Sequence, residues 1–303
     1  MPTMRIHLCG VRGSTPAPGI EFVRYGGHTS CLALAHNDDD SGSGTRRGAD
    51  ARRPTLILDA GAGLQRVSPL LGGEPFDGTI LLTHLHWDHV LGLPFFAAAD
   101  DLDARISLLL PEQEESRASA ESVLAELMSP PYFPIEPSQL RGQWTFATIA
   151  PGKLQIEGFD VLAREIPHKG GRTFGYRISD GRSTLAYMPD HCPTALGPGE
   201  DGFGSYHPAA LELARGADVL VHDAVLFPEE LAAQADFGHS VADYAVELGK
   251  RAGARAVVLF HHHHNRTDDA LDGLARRLGS DGGGSAENAP EVIVAAEGTV
   301  LEL

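Results

Sequence analysis

The chain has 303 residues, with 24 basic against 41 acidic side chains and a formal net charge of −17. That balance argues against a broad basic footprint over long nucleic acid, and no apolar run approaches the ~20 residues of a membrane span. The 35 glycines and 20 prolines exceed their combined average share of roughly 12%, which implies many tight turns and argues against a bundle of long helices.

In chain order, the first hundred residues read as short β-branched strands at Arg5–Leu8, Cys31–Ala35, Thr55–Asp59 and Thr79–Thr83. The last is a near-continuous apolar run suited to a buried strand. Between the second and third lies Asn37–Pro54, rich in Asp, Gly, Ser and Arg, which reads as a flexible hairpin loop or insertion rather than a linker. Pro111–Met128 reads as an amphipathic helix on Val123, Leu124 and Leu127. Pro130–Pro137 holds four prolines around Tyr132 and Phe133 and is expected to be irregular. Its two aromatic residues are read either as a surface for stacking a base or as packing.

Strands are expected again at Phe159–Ile166, Thr173–Ile178, Ser183–Met188 and Ala256–Phe260, with Gly181 at a hairpin turn. Ser240 is expected to cap a helix whose apolar face is Val241, Ala245 and Leu248, and Thr267 to cap Asp268–Leu278. After a Ser280–Pro290 loop, Val292–Ala295 and Thr299–Leu303 read as a final hairpin. Strands followed by helices, twice over, fit one layered α/β domain spanning 1–303 with two similar halves.

Cys9, Cys31 and Cys192 stand apart without metal-type pairing, so each reads as a small core residue and no disulfide framework is expected. The opening decapeptide has no charged segment leading into an apolar one, and a reducing cytoplasm is the expected location.

The sharpest signal lies among the 15 histidines. Thr83-His84-Leu85-His86-Trp87-Asp88-His89 follows the buried strand and leads into Val90-Leu91-Gly92-Leu93-Pro94, which reads as a helix start. Three imidazoles and a carboxylate so close together form a nitrogen and oxygen donor set suited to Zn²⁺, Mn²⁺ or Fe²⁺. Past a strand end, His84 and His86 can face one point while Asp88 and His89 serve another, so that two cations share a bridging water. The bland alternative is a loop of surface histidines.

This segment resembles the metal-binding signature of the metallo-β-lactamase superfamily, in its branch of tRNase Z and related phosphodiesterases. The likeness extends along most of the chain. Asp59, ending Leu56-Ile57-Leu58-Asp59, looks like the superfamily's supporting aspartate. Pro167-His168 resembles its third metal motif, Asp190 its bridging aspartate, and His261 its last ligand. His222-Asp223-Ala224 and Gly238-His239-Ser240 are similar to two further motifs of the branch, as are Gly10–Ser14 and Gly26–Ser30. The resemblance implies an αββα sandwich. It also implies one cation on His84, His86 and His168, a second on Asp88, His89 and His261, and Asp190 bridging them. The catalytic residues implied are Asp88, His239 as proton donor and Asp223 orienting it. Two divalent ions are expected, Zn²⁺ first with Mn²⁺ or Fe²⁺ as alternatives. Relatives in this branch are often homodimers.

Three departures stand out. His28 occupies the place of the branch's usual Asn, and reads as a substrate contact, a polar support or an exposed residue. Asp223 stands where tRNase Z enzymes have Glu. The run His261–His264 leaves His262 as an alternative last ligand. No long basic, Gly-rich arm for gripping tRNA is visible, and the acidic balance agrees. The expected activity is therefore hydrolysis of a small phosphodiester, such as a cyclic nucleotide, by a metal-activated water. The alternatives are lactone, ester or lactam hydrolysis, tRNA 3′ processing, and a non-catalytic metal-binding role.

Overall fold

Period-2 alternation along the strands sends successive side chains into different cores. A computed structural model describes residues 4–36, 53–113, 119–279 and 289–303. The first-half strands are β1 (Met4–Gly10), β2 (Cys31–His36), β3 (Leu56–Leu58), β4 (Asp77–Leu81), β5 (Arg105–Pro111) and β6 (Gln143–Ile149). The second half holds β7 (Gly152–Ile156), β8 (Phe159–Glu165), β9 (Phe174–Ser179), β10 (Thr184–Met188), β11 (Val219–Asp223), β12 (Ala256–Phe260), β13 (Glu291–Val294) and β14 (Val300–Glu302). They form two seven-stranded sheets, in the orders β14-β1-β2-β3-β4-β5-β6 and β13-β12-β11-β10-β9-β8-β7.

Leu32 and Leu34 of β2 enter the core between the sheets, with Val258 and Phe260 of β12. Cys31 and Ala33 face the opposite way, toward Leu64, Leu93 and Leu124 outside the first sheet. Val257 and Leu259 likewise turn outward to Leu213, Leu248 and Leu274. The first sheet carries α1 (Trp87–Val90) and α2 (Ala120–Ala125) in its half. The second half has α3 (Pro208–Ala214), α4 (Leu231–Gln234), α5 (Ala242–Ala252) and α6 (Asp268–Leu278). This is the expected αββα sandwich. Truncating a fully buried leucine such as Leu58 costs about 2–5 kcal/mol, because the gap cannot fully collapse.

Local chemistry accounts for several boundaries. Thr267 caps α6 by accepting from Ala270 N, with Asp268 and Asp269 in the first turn and Arg276 and Arg277 in the last. β9 and β10 pair antiparallel around Gly181, whose φ is 89°. β2 and β3 also pair antiparallel, as a hairpin requires. Positions 37–52 of the connection expected between them, and 280–288 of the later loop, lie outside the described residues. All three cysteines are buried and unbonded. No helix among the described residues is long and apolar enough to cross a membrane.

Four expectations need correction. Val292–Ala295 and Thr299–Leu303 do not form a hairpin: β13 pairs parallel with β12 and β14 antiparallel with β1, in different sheets. The backbone separates at the turn, where Ala295 N donates to Leu259 O but Gly298 N to Leu8 O. Within Pro111–Met128 only Ala120–Ala125 is α-helical, capped by Ser119, while Pro111 ends β5; positions 114–118 are not described. Ser240 does not cap α5; Val241 holds that position, and the Ser240 hydroxyl donates to Val241 O. Finally, β5, β6, β7 and β11 were not anticipated. β6 and β7 are sheet edges with many exposed side chains, so they carry little apolar signal.

Candidate metal centre

Strand direction brings the chemistry-bearing residues to one edge. β3, β4, β5 and β6 run parallel, and Asp59 and His84 lie just beyond the ends of β3 and β4. β10, β11 and β12 are parallel to one another, and β8 runs with them because β9 opposes both β8 and β10. His168, Asp190, Asp223 and His261 lie at or just beyond their carboxyl ends. Loops at strand carboxyl ends are where α/β sheets gather binding residues.

There the donor atoms of His84, His86 and His168 lie within 4.8 Å of one another, as do those of Asp88, His89 and His261. His89 Nε2 is 3.2 Å from His261 Nε2, 3.0 Å from Asp190 Oδ2 and 3.4 Å from Asp88 Oδ2. His261 Nε2 is 3.0 Å from Asp88 Oδ2. On the other side, His168 Nε2 is 3.3 Å from His86 Nδ1 and 3.5 Å from Asp190 Oδ1. Asp190 thus lies between the two groups of imidazoles, one carboxylate oxygen toward each.

A buried polar frame aims these rings. Asp59 is fully buried and accepts from Thr83 N, Thr83 Oγ1, Tyr187 OH and His89 Nδ1 at 2.7–3.0 Å. With Nδ1 so engaged, His89 presents Nε2 to the cluster, the carboxylate–histidine arrangement that orients metal ligands. Thr83 passes the same constraint to His84, whose Nδ1 is 3.0 Å from Thr83 Oγ1. His168 Nδ1 donates to Gly238 O at 2.7 Å. Asp59 and His261 adopt φ of 59°, the left-handed region that non-glycine residues rarely occupy. A side chain at Gly13 would collide with the His261 ring, so the glycine-rich opening packs directly on this imidazole.

The donor chemistry fits a cation. His84 Nε2 is buried without a hydrogen-bond partner, although its Nδ1 is held. Burial, then the charge of His89, pushes the His84 imidazole well below its usual value. Burial also lowers His86 and His168, leaving the neutral rings that metals bind. Burial opposes ionisation of Asp88 and Asp190, yet neighbouring His89 and His261 hold both well below the usual carboxylate range. His89 is raised well above its ordinary value, burial being outweighed by Asp190, Asp88 and Asp59. Buried carboxylates and bare imidazole nitrogens converging on one spot call for positive charge between them.

His239 Nδ1 lies 3.0 Å from Asp223 Oδ2 and 3.7 Å from Asp190 Oδ1. Burial disfavours its protonation, but Asp223 and then Asp190 outweigh it and raise the imidazole to about 9. Asp223 is itself fixed, accepting from His191 N and Val225 N. His261 belongs to the cluster, whereas His262 turns away and donates Nε2–H to Ala295 O. His28 pairs with Glu297, its Nδ1 3.0 Å from Oε2, which is a supporting contact. Sequence reasoning did not foresee that His191 and His222 pair at 3.0 Å, both fully buried. Their separation by 31 residues hides this.

Fold and site together define a metal-dependent hydrolase of αββα architecture. The chain belongs to the beta-lactamase superfamily, whose family domain matches residues 55–262. A curated Ribonuclease Z of Limosilactobacillus fermentum is 26% identical over 222 residues, covering 60% of this chain and 68% of that one. The metallo-beta-lactamase fold protein YhfI from Bacillus subtilis is 19% identical with a TM-score of 0.66, covering 99% of this chain and 100% of that one. A diphosphatase from the PhnP family is 19% identical with a TM-score of 0.58, covering 99% and 98%. The resemblance read from the motifs is borne out.

Proposed function

We propose that residues 1–303 act as one hydrolase domain that cleaves a small phosphodiester, with cyclic nucleotides among the candidate substrates. The observation that carries this reading is the Asp223–His239 pair beside the cluster, joined at 3.0 Å. An unactivated diester expels an alkoxide, a poor leaving group until it is protonated. A carboxylate-oriented imidazolium supplies that proton. The names of the curated Ribonuclease Z relatives and of the PhnP-family diphosphatase support phosphate chemistry.

In this reading His84, His86 and His168 would hold one divalent cation and Asp88, His89 and His261 a second, with Asp190, between the two groups, available to both. Zn²⁺ is the first expectation, with Mn²⁺ and Fe²⁺ as alternatives. When bound, such ions lower the pKa of a coordinated water toward ~7 and offset phosphate charge. The chain's own residues do the rest. Asp88 is locked in place at the mouth, its Oδ2 accepting from Ser14 N at 2.7 Å. Asp223 fixes the His239 ring, and its charge favours the protonated imidazole that a proton donor needs.

The mouth is a cavity of about 430 Å³ bordered by Ser14, His86, Trp87, Asp88, Asp190 and His239. No lysine or arginine lines it among the described residues, so it offers little to neutralise a long polyanion. That supports a small diester over tRNA. The same feature suits a neutral ester or lactone, the second reading. The test is turnover by metal-loaded protein on cyclic nucleotides, bis-aryl phosphates and lactones. Lactone cleavage without any diester cleavage sinks the first reading, and inactivity on every substrate favours a non-catalytic role.

A further inference from the structure

Beside the metal mouth lies a second cavity, of about 570 Å³. Trp87 and Leu127 line both spaces, so the two adjoin at these side chains. The wall comes from two stretches: Trp87 to Phe95, through α1 and the turn after it, and Leu124 to Phe133, from α2 and the loop beyond it. Phe133 meets Phe95 edge to face at 6.1 Å, tying the proline-rich loop to the turn.

The placement of Trp87 is informative. It stands between His86 and Asp88, so the same short segment that supplies metal-type donors turns an indole outward. Trp87 is 74% exposed, Phe95 54% and Tyr132 83%. Large aromatic side chains left in water together, next to a reaction centre, mark a binding surface rather than packing. The polar side-chain functions on this wall are few: the Glu126 carboxylate, the Tyr132 hydroxyl and the Trp87 indole N–H, with no lysine or arginine among the described residues. A nucleobase seated here would bring hydrogen-bonding edges against methyl groups and ring faces. Few partners on this wall would pair those edges, so a base gains little here beyond stacking. A wholly apolar group has no such edges.

We propose that this cavity receives an apolar ester substituent of the substrate, an aryl or alkyl group rather than a nucleoside. The inference rests on the small-phosphodiester reading and narrows it. The metal mouth takes the phosphate, and Trp87 and Leu127 guide the attached group into the cavity walled by Phe95, Phe133 and Leu124.

Titration calorimetry of the metal-loaded full chain with three probes tests it: 4-biphenylphosphonate, methylphosphonate and adenosine monophosphate. The expected result is at least about tenfold tighter binding of the biphenyl compound than of either other probe, from burial of its rings. Phe95→Ser and Phe133→Ala are each expected to abolish that preference while leaving methylphosphonate affinity within about twofold, since neither residue borders the metal mouth. Trp87 and Trp144 are the chain's two tryptophans, so in Trp144→Phe the biphenyl compound should also shift the emission of Trp87, even without metal. Equal affinities, no binding of either phosphonate, tightest binding of the nucleotide, an unmoved Trp87 signal, or a preference that survives both substitutions overturns the proposal. So does a wild-type dimer that Phe95→Ser converts to monomer by sedimentation, since the surface would then be covered by a second copy. Turnover of bis(p-nitrophenyl) phosphate is read separately. Its absence, with the aryl preference intact, removes the phosphodiesterase reading alone.

Discussion

The two sheets contribute to the metal cluster in different ways. The first supplies His84, His86, Asp88 and His89 from one loop and the short helix after β4. The second supplies His168, Asp190 and His261 from three separate connections. The first group is assembled by local backbone geometry, since residues that follow one strand end cannot travel far from it. The second group meets only because parallel strands end at the same edge and the sheets pack face to face. One half of the site is therefore local and the other is a product of tertiary structure, and Asp190 joins them.

The largest expected effect comes from cutting that join. Asp190→Ala is expected to abolish turnover and to lower bound metal below that of the parent, measured by elemental analysis of the purified protein. Retention of full metal content would show that each half holds its ion unaided. Next, His239→Ala should leave metal content unchanged while slowing cleavage of an unactivated diester by about 10²–10⁴-fold. Cleavage that releases p-nitrophenolate should suffer far less, because that leaving group does not need the proton. Equal losses on both substrates would remove the proton-donor role.

Asp59→Asn probes the frame beneath the local half, which holds Thr83 and His89. Weakening of metal affinity by about 10–100-fold is expected, the range for residues that orient ligands without touching the metal. Competition with a chelator measures it, and unchanged affinity would mean that packing alone aims the His89 ring. The smallest effect should come from His28→Ala. Its pair with Glu297 is partly exposed, so stability should fall by at most about 1 kcal/mol, with metal content and turnover unchanged. A large activity loss would instead make His28 a substrate contact.

Legibility followed the same division. The run from Thr83 to His89 announced a metal site because several donors fall close together in the chain. His168, Asp190 and His261 were reached through likeness to a known family, since single residues in separate loops carry no spacing signal of their own. Likeness also decided the two-sheet sandwich, while alternation placed most of the buried strands. Edge strands β6 and β7 escaped notice because their side chains alternate into water. The last two strands were misread as a hairpin because a short turn between apolar runs looks alike whether it returns to its own sheet or crosses to the other.

The sequence by itself determined the kinds of donor, the order of the local metal motif and the acidic balance that disfavours long nucleic acid. Those are properties of residue type and near neighbours. Tertiary structure decided which of His261 and His262 faces the cluster, since only strand position and backbone angle tell two adjacent imidazoles apart. It decided that His191 pairs with His222, and that Asp59 serves Thr83, His89 and Tyr187 together. It also built the apolar cavity beside the metal mouth. Its walls come from two stretches, 87–95 and 124–133, and only folding sets Trp87, Phe95 and Phe133 around one space.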